Sequence, residues 1–207
     1  MVRWGVLGLG RAANSFANAI KEVENAKLTS IASLSKKKNL TFGKKFDIEK
    51  NCRFDTYEEL INCEKIDVVY IATLNNTHAD LIIKAAKAKK GILCEKPMIL
   101  TETESKQVFD QLNKSKVFFL EAIAYRSHPQ TIEITNQILN NEIGDVIKIE
   151  SSFGFRVNPL LKFKPGHRLF NKKLGGGAIN DVGCYPVSLV VLIAKLFQNK
   201  NKETSYD

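Results

Sequence analysis

Several patterns that would place a chain in a special class are missing from this sequence. Its four cysteines, Cys52, Cys63, Cys94 and Cys184, form no CxxC pair and no His/Cys cluster at zinc-ligand spacing. A disulfide scaffold and a zinc module are therefore excluded, and reduced, mostly buried thiols of a cytoplasmic protein are predicted. The 12 Gly and 5 Pro form no low-complexity repeat, which excludes collagen-like and low-complexity classes.

Arginine is scarce, and so are long hydrophobic runs. Among 31 basic residues, against 22 acidic ones, most are Lys, and no Arg-rich or aromatic-interleaved stripe occurs. The net charge of +9 therefore predicts solvated Lys-rich faces rather than a nucleic-acid partner. Glycines interrupt the apolar start of the chain, which makes a poor signal peptide. The apolar stretch Val187–Phe197 contains Lys195 and is predicted to be too short to span a membrane.

What is present is 44% apolar residues, arranged as alternating strand-like and helix-like segments. Strands are predicted over 2–7, 28–34, 67–73, 92–94 and 117–121, with helices over 11–23, 36–46, 56–62, 77–90 and 101–114. Thr101 and Glu104 have the spacing of a capping box. This alternation predicts an α/β fold, a Rossmann-type doubly wound parallel sheet over residues 1–122.

Residues 123–207 follow a different pattern. A helix is predicted over 129–141 and another over 178–197. Between them, residues 146–156 alternate as a strand with one dry face does in an antiparallel sheet. One strand is not a sheet. We therefore predict a second, incomplete α/β domain whose partner strands belong either to another chain or to a missing part of a truncated protein.

The turn after the first strand carries a GxGxxA pattern, Gly8 to Ala13. Its glycines would let the backbone approach a pyrophosphate at the helix N-terminus; the alternative is a merely structural turn. The end of the second strand, where NAD-preferring sites carry an acid, instead holds Ser33, Ser35 and Lys36. We therefore expect NADP, with NAD as the second choice, unless the lysines only solvate a helix start.

Two further patterns suggest chemistry. Glu95-Lys96-Pro97 directly follows a strand, where a Lys can hydrogen-bond a substrate hydroxyl. Pro97 would hold this turn, with a cis peptide bond as one way to do so. The alternative is that the tripeptide is a salt-bridged turn without a catalytic role. Asp181 and Tyr185, four residues apart after Gly175-Gly176-Gly177, share one face of a helix. A nearby ammonium would make Tyr185 a usable base; the alternative is a capped, glycine-rich helix start.

Taken together, these motifs resemble the Gfo/Idh/MocA oxidoreductase family, in the branch of dihydrodiol and D-xylose dehydrogenases and glucose–fructose oxidoreductase. The resemblance covers residues 1–197 and implies hydride transfer between NAD(P) and a hydroxyl-bearing carbon of a sugar or cyclic diol. It implies Lys96 and Tyr185 as catalytic residues, and Asp181, Arg126 and Arg168 as substrate-binding. The cofactor-binding set implied by motif and resemblance is Gly8, Gly10, Arg11, Ala12, Ser33, Ser35, Lys36, Thr73, Asn75, His78, Glu95 and Lys96, with no metal.

Family members continue past residue 207, and their remaining strands form most of the dimer interface. The resemblance therefore implies a homodimer for full-length relatives, a small-molecule substrate, and neither a nucleic acid nor a membrane as partner. The alternative to an active dehydrogenase is an inactive truncated fragment or a cofactor-binding module without turnover.

Overall fold

The computed structural model describes residues 1–158, 160–161 and 166–203. The chain divides into two compact units. Unit 1 comprises Met1–Ala122 together with Lys173–Gly175, and unit 2 comprises Ile123–Lys172 and the residues from Gly176 onward. Three residues from late in the chain therefore fold with the first unit, although the predicted domain boundary at residue 122 leaves them in the second.

Unit 1 is built on one six-stranded sheet in which every neighbouring pair is parallel. The strand order is β3-β2-β1-β4-β5-β6, which confirms the predicted doubly wound parallel sheet. Sequence patterning missed β3 because it is only two residues long. The strands are β1 Val2–Leu7, β2 Ala26–Ala32, β3 Arg53–Phe54, β4 Val68–Ile71, β5 Gly91–Cys94 and β6 Phe119–Glu121.

Helices cover both faces of this sheet, so the central part of the sheet is buried on two sides. Successive residues of β4 divide accordingly: Val69 and Ile71 belong to one apolar cluster, and Tyr70 belongs to the other. The cluster that contains Tyr70 includes residues of α1 and α2, and the opposite one includes residues of α3, α4 and α5. The helices of unit 1 are α1 Arg11–Ala19, α2 Lys36–Lys45, α3 Tyr57–Ile61, α4 His78–Lys87 and α5 Glu102–Ser115.

Local capping explains where two of these helices begin. Thr101 accepts a hydrogen bond from the backbone N–H of Glu104, whose carboxylate accepts from the backbone N–H of Thr101. The predicted capping box is therefore confirmed. Thr56 and Glu59 make the same reciprocal pair at the start of α3, which satisfies N–H groups that the first helical turn leaves without helical partners.

Unit 2 contains α6 Pro129–Leu139 and α7 Cys184–Glu203, with a π-helical turn, Ile179–Gly183, directly before α7. The strand predicted over 146–156 is wrong for this chain, because those residues have no regular secondary structure. A strand needs a neighbour for its backbone N–H and C=O groups, and the described residues of unit 2 supply none. Ile147, on the face predicted to be dry, is 97% exposed. The antiparallel sheet stays a prediction for a longer chain.

The C-terminal helical region is longer than its apolar sequence pattern predicts. By length and composition alone, Lys172–Phe197 could cross a membrane. This corrects the prediction from the sequence, which considered only Val187–Phe197 and found it too short. The core helix of a soluble protein passes the same test. Val187, Val190 and Val191 of α7 are exposed in the chain as described.

Candidate functional site

The turn between β1 and α1 has the geometry of a phosphate cradle. Gly8 has φ +84°, and a Cβ there would lie 2.7 Å from the carbonyl oxygen of Ala72, so only glycine fits. A Cβ on Gly10 would meet nothing within 4 Å. Ala13, on the helix side of the turn, is fully buried, and its small side chain allows α1 to pack close to the sheet.

The N-terminus of α1 is open to an anion. Gly10 is its N-cap and offers no side-chain cap, and no acidic residue stands in the first turn. The N–H groups of that turn and the positive end of the helix dipole therefore favour a negative ligand. Arg11 is exposed and Ala12 is half-buried in the same turn. Together with the free space over Gly10, this geometry fits a dinucleotide pyrophosphate.

The end of β2 holds the predicted hydroxyl and lysine residues in a defined loop. Ser33 is buried, and its Oγ accepts from the backbone N–H of Ser35 at 3.2 Å. The Oγ of Ser35 accepts from the N–H of Lys38 at 3.4 Å and so caps α2. Lys36 is exposed at the first position of α2, whose first turn has no acid. The loop thus offers hydroxyl groups and an ammonium group to a ligand. The first turn of α2 contains no carboxylate that would repel an anion.

Beyond β4, the predicted ribose-side residues contact other parts of unit 1. The Oγ1 atoms of Thr73 and Thr77 are 2.7 Å apart. Asn75 Nδ2 donates to the carbonyl oxygen of Gly175 at 3.0 Å. Gly175 has φ +74°, and a Cβ there would lie 2.7 Å from Asn75 Cβ and 2.8 Å from Leu100 Cδ1. The segment Lys173–Gly175 is therefore held against unit 1 by close packing and a hydrogen bond.

His78 is a structural member of the same region. Its side chain is 0% exposed, and Nδ1 lies 2.9 Å from the carbonyl oxygen of Pro97. Burial lowers the pKa of His78 below its usual value, so the neutral ring with its proton on Nδ1 is favoured. The position gives His78 a contact with the turn that carries Lys96.

The turn after β5 is anchored from several elements. The Lys96–Pro97 peptide bond is cis, as the sequence suggests for a tight turn. Tyr70 Oη donates to Glu95 Oε1 at 2.5 Å, and Met98 N donates to Glu121 Oε1 at 2.9 Å. Sequence reasoning gave Tyr70 no role in the site. A tyrosine within an apolar strand was the available sign, because a buried phenol needs a hydrogen-bond partner.

In unit 2, the predicted substrate-side residues surround the π-helical turn. Arg168 Nη1 lies 3.3 Å from Asp181 Oδ1, and the Asp181 side chain is 15% exposed. The ring of Tyr185 packs edge-on against those of Phe153 and Tyr125, at centroid distances of 5.1 and 6.3 Å. Unit 2 therefore brings together a charged pair and an aromatic cluster.

Two details of unit 2 differ from simple helical spacing. Asp181 lies within the π-helical turn and Tyr185 at the start of α7. Their spacing of four residues therefore does not by itself place them on one face of an α-helix, as the sequence predicted. π-turns inside helices are rare, and those that occur are often at functional sites.

The third predicted substrate-side residue, Arg126, is exposed in a short 3-10 turn, Ala124–Ser127. Among the described residues, no group of three His, Cys, Asp or Glu side chains is arranged to hold a metal ion.

Comparison with known proteins gives two adjoining family matches. Residues 2–122 match the model described as the GFO_IDH_MocA oxidoreductase family, NAD-binding Rossmann fold. Residues 132–198 match the GFO/IDH/MocA C-terminal domain.

Individual relatives agree with these matches. The chain is 30% identical over 193 residues to trans-1,2-dihydrobenzene-1,2-diol dehydrogenase of Xenopus tropicalis, covering 92% of this chain and 56% of the relative. It is 29% identical over 203 residues to D-xylose 1-dehydrogenase (NADP(+)) of Hypocrea jecorina, covering 91% and 52%. The crystal structure of a putative NADPH-dependent oxidoreductase from Desulfitobacterium hafniense superposes with a TM-score of 0.83 at 26% identity, covering 93% of this chain and 54% of that one. The chain thus spans about half the length of the curated relatives it matches.

Proposed function

Because the chain belongs to the Gfo/Idh/MocA oxidoreductase family, we propose that it is the cofactor-binding part of an NADP-dependent dehydrogenase. The substrate class is a sugar or cyclic diol, since relatives over more than nine-tenths of the chain are named dihydrodiol and D-xylose dehydrogenases. The observation that carries the proposal is the turn Gly8–Gly10, in which only glycine fits at position 8 and the space over Gly10 is open where a phosphate would approach.

The cofactor assignment follows the carboxyl ends of four strands of unit 1, β1, β2, β4 and β5. We assign Gly8, Gly10, Arg11 and Ala12 to the pyrophosphate, since they form the open first turn of α1. Ser33, Ser35 and Lys36 are assigned to the adenosine ribose and its 2′-phosphate, because their loop offers hydroxyls and an ammonium group without a nearby acid in the helix turn. The nicotinamide side is assigned to Thr73, Asn75, Glu95 and Lys96, with His78 acting through the carbonyl of Pro97.

The bound nicotinamide supplies the hydride acceptor or donor. The role of the protein is then to bind the substrate hydroxyl and to move its proton. On the resemblance to the family, we assign proton exchange to Tyr185 Oη and the assistance of that exchange to Lys96. Asp181, held by Arg168 at 3.3 Å, can accept hydrogen bonds from neighbouring substrate hydroxyls. Arg126 is assigned to the substrate on the resemblance alone.

The proposal keeps the functional division predicted from the sequence, with Lys173–Gly175 as part of the cofactor-binding unit. Residues 1–122 bind the cofactor, and residues 123–207 are part of a substrate domain that full-length relatives complete. We also propose a cytoplasmic location, because all four cysteines are free thiols and two of them, Cys52 and Cys94, are buried.

The test is a titration of the purified 207-residue chain with NADPH. Trp4, the single tryptophan, is on β1 and can transfer excitation energy to bound NADPH. Saturable energy transfer, tighter for NADPH than for NADH, is the expected result. A sugar and cyclic-diol screen with NADP⁺ then follows. Absence of saturable binding by a folded chain would overturn the proposal.

A further inference from the structure

Tyr70 is a buried tyrosine whose hydroxyl meets a functional segment. It lies on β4 and is 4% exposed, and its Oη donates to Glu95 Oε1 at 2.5 Å. Hydrogen bonds to a carboxylate are shorter and stronger than those between neutral groups. Burial first, and then the negative charge of Glu95, raises the pKa of Tyr70 well above its ordinary value. The hydroxyl therefore keeps its proton near neutral pH and donates a hydrogen bond to Glu95.

The ring of Tyr70 contacts the phosphate-loop helix. Its centroid lies 4.4 Å from that of Phe16, which in turn lies 5.2 Å from Trp4. Phe16 belongs to α1, the helix that begins at the open turn after Gly10. A single side chain therefore contacts both the helix assigned to the pyrophosphate and the carboxylate beside Lys96.

Side chains from several elements contact the turn that carries Lys96. His78 contacts the carbonyl of Pro97, and Glu121 accepts from the N–H of Met98. Both of these fix the turn on the far side of Lys96. On the near side, Tyr70 Oη donates to the carboxylate of Glu95, and the Cys94 thiol lies 3.4 Å from the carbonyl oxygen of Glu95. We propose that Tyr70 is a positioning residue, which acts through Glu95 to hold the Glu95–Pro97 turn, and hence Lys96, in place for the cofactor.

This inference rests on the proposed function, because Glu95 and Lys96 matter to a cofactor only if the chain binds NAD(P). Tyr70→Phe is the suitable variant, since it removes the hydroxyl and keeps the ring on Phe16. We expect NADPH affinity to fall roughly tenfold, as for the loss of one hydrogen bond to a charged group. In a Glu95→Ala background the same substitution should change the affinity less than about twofold, because the partner is already gone.

Hydrogen exchange gives a second readout that needs no cofactor. The amide of Glu95 donates to the carbonyl of Ile71, and that of Met98 donates to Glu121, so both report on the turn. In Tyr70→Phe they should exchange roughly threefold faster or more, while exchange in the rest of the sheet is unchanged. Tyr57→Phe is the matched control, since Tyr57 is half-buried against the opposite apolar cluster; it should leave both readouts at the wild-type value.

The outcomes separate the two claims. An equal loss of NADPH affinity from Tyr70→Phe in the wild-type and Glu95→Ala backgrounds would show that Tyr70 does not act through Glu95 and would overturn the inference. If the wild-type chain binds no NADPH, the proposed function fails, and the exchange measurement decides the inference alone. Wild-type exchange at Glu95 and Met98 in Tyr70→Phe would then overturn it.

Discussion

Two alanine substitutions in the same loop, Gly8→Ala and Gly10→Ala, should have opposite consequences. At Gly8, alanine must adopt φ +84° and place its Cβ 2.7 Å from the carbonyl oxygen of Ala72. A left-handed conformation costs a non-glycine residue about 1–3 kcal/mol. The contact adds to this, because Ala72 cannot easily move: its own N–H donates to the carbonyl oxygen of Leu7 at 2.8 Å. We expect a loss of about 2–4 kcal/mol in the free energy of unfolding.

At Gly10, alanine is conformationally acceptable. The residue has φ −95° and ψ −160°, which is extended backbone, and a Cβ would meet no atom within 4 Å. The substitution should change the free energy of unfolding by less than about 1 kcal/mol, and could raise it by restricting the unfolded chain. Its methyl group would occupy the space that the pyrophosphate needs. NADPH affinity should therefore fall at least about tenfold, equivalent to 1.4 kcal/mol or more.

The assay measures both quantities on the same samples. Thermal unfolding should show Tm lowered by about 5–15 °C in Gly8→Ala, given about 2–4 °C per kcal/mol for a chain of this size, and nearly unchanged in Gly10→Ala. NADPH titration followed by energy transfer from Trp4 should show the reverse for Gly10→Ala: a stable protein that binds poorly. Wild-type NADPH affinity in Gly10→Ala would refute the assignment of this loop to the pyrophosphate.

The remaining predictions concern three other positions. Tyr185→Phe should lower the rate of substrate oxidation by about 10²–10⁴-fold while NADPH affinity stays unchanged, and an unchanged kcat would contradict its role. Lys36→Glu should weaken NADPH binding and leave NADH binding similar or tighter, measured as the ratio of the two dissociation constants. His78 has a lowered folded-state pKa, so its contribution to stability is full above its unfolded pKa of about 6.5 and is lost as pH falls through the folded value. Denaturant unfolding from pH 8 to pH 5 should therefore show a shallower decline for His78→Gln, and parallel curves for the two proteins would count against this reasoning.

Much of unit 1 could be predicted from the sequence because its elements carry strong local patterns. The β-branched run at Val68–Ile71, the capping box at Thr101 and the glycine turn after β1 each depend on neighbours in sequence. Parallel strands buried on both faces are also continuous apolar segments, which makes them easy to recognise. The two-residue β3 offers no such pattern.

Contacts between distant residues could not be predicted in this way. The hydrogen bond from Tyr70 to Glu95 joins β4 to the turn after the neighbouring β5, and nothing local to either residue identifies the partner. The segment 146–156 failed for a related reason. Its alternation is a local pattern, but a strand exists only when another strand pairs with it, and the described part of this chain provides no such strand.

The return of Lys173–Gly175 to unit 1 has a consequence for how the two halves can be separated. A gene fragment ending at residue 122 would encode all six strands, yet it would lack the carbonyl group that Asn75 binds and the close packing of Gly175 on Leu100. The cofactor-binding half is therefore not a portable module with one cut point. Recombination, gene fission or a designed fusion that exchanges the substrate domain must carry these three residues with the half they complete, or must replace them with another segment that lies on Asn75.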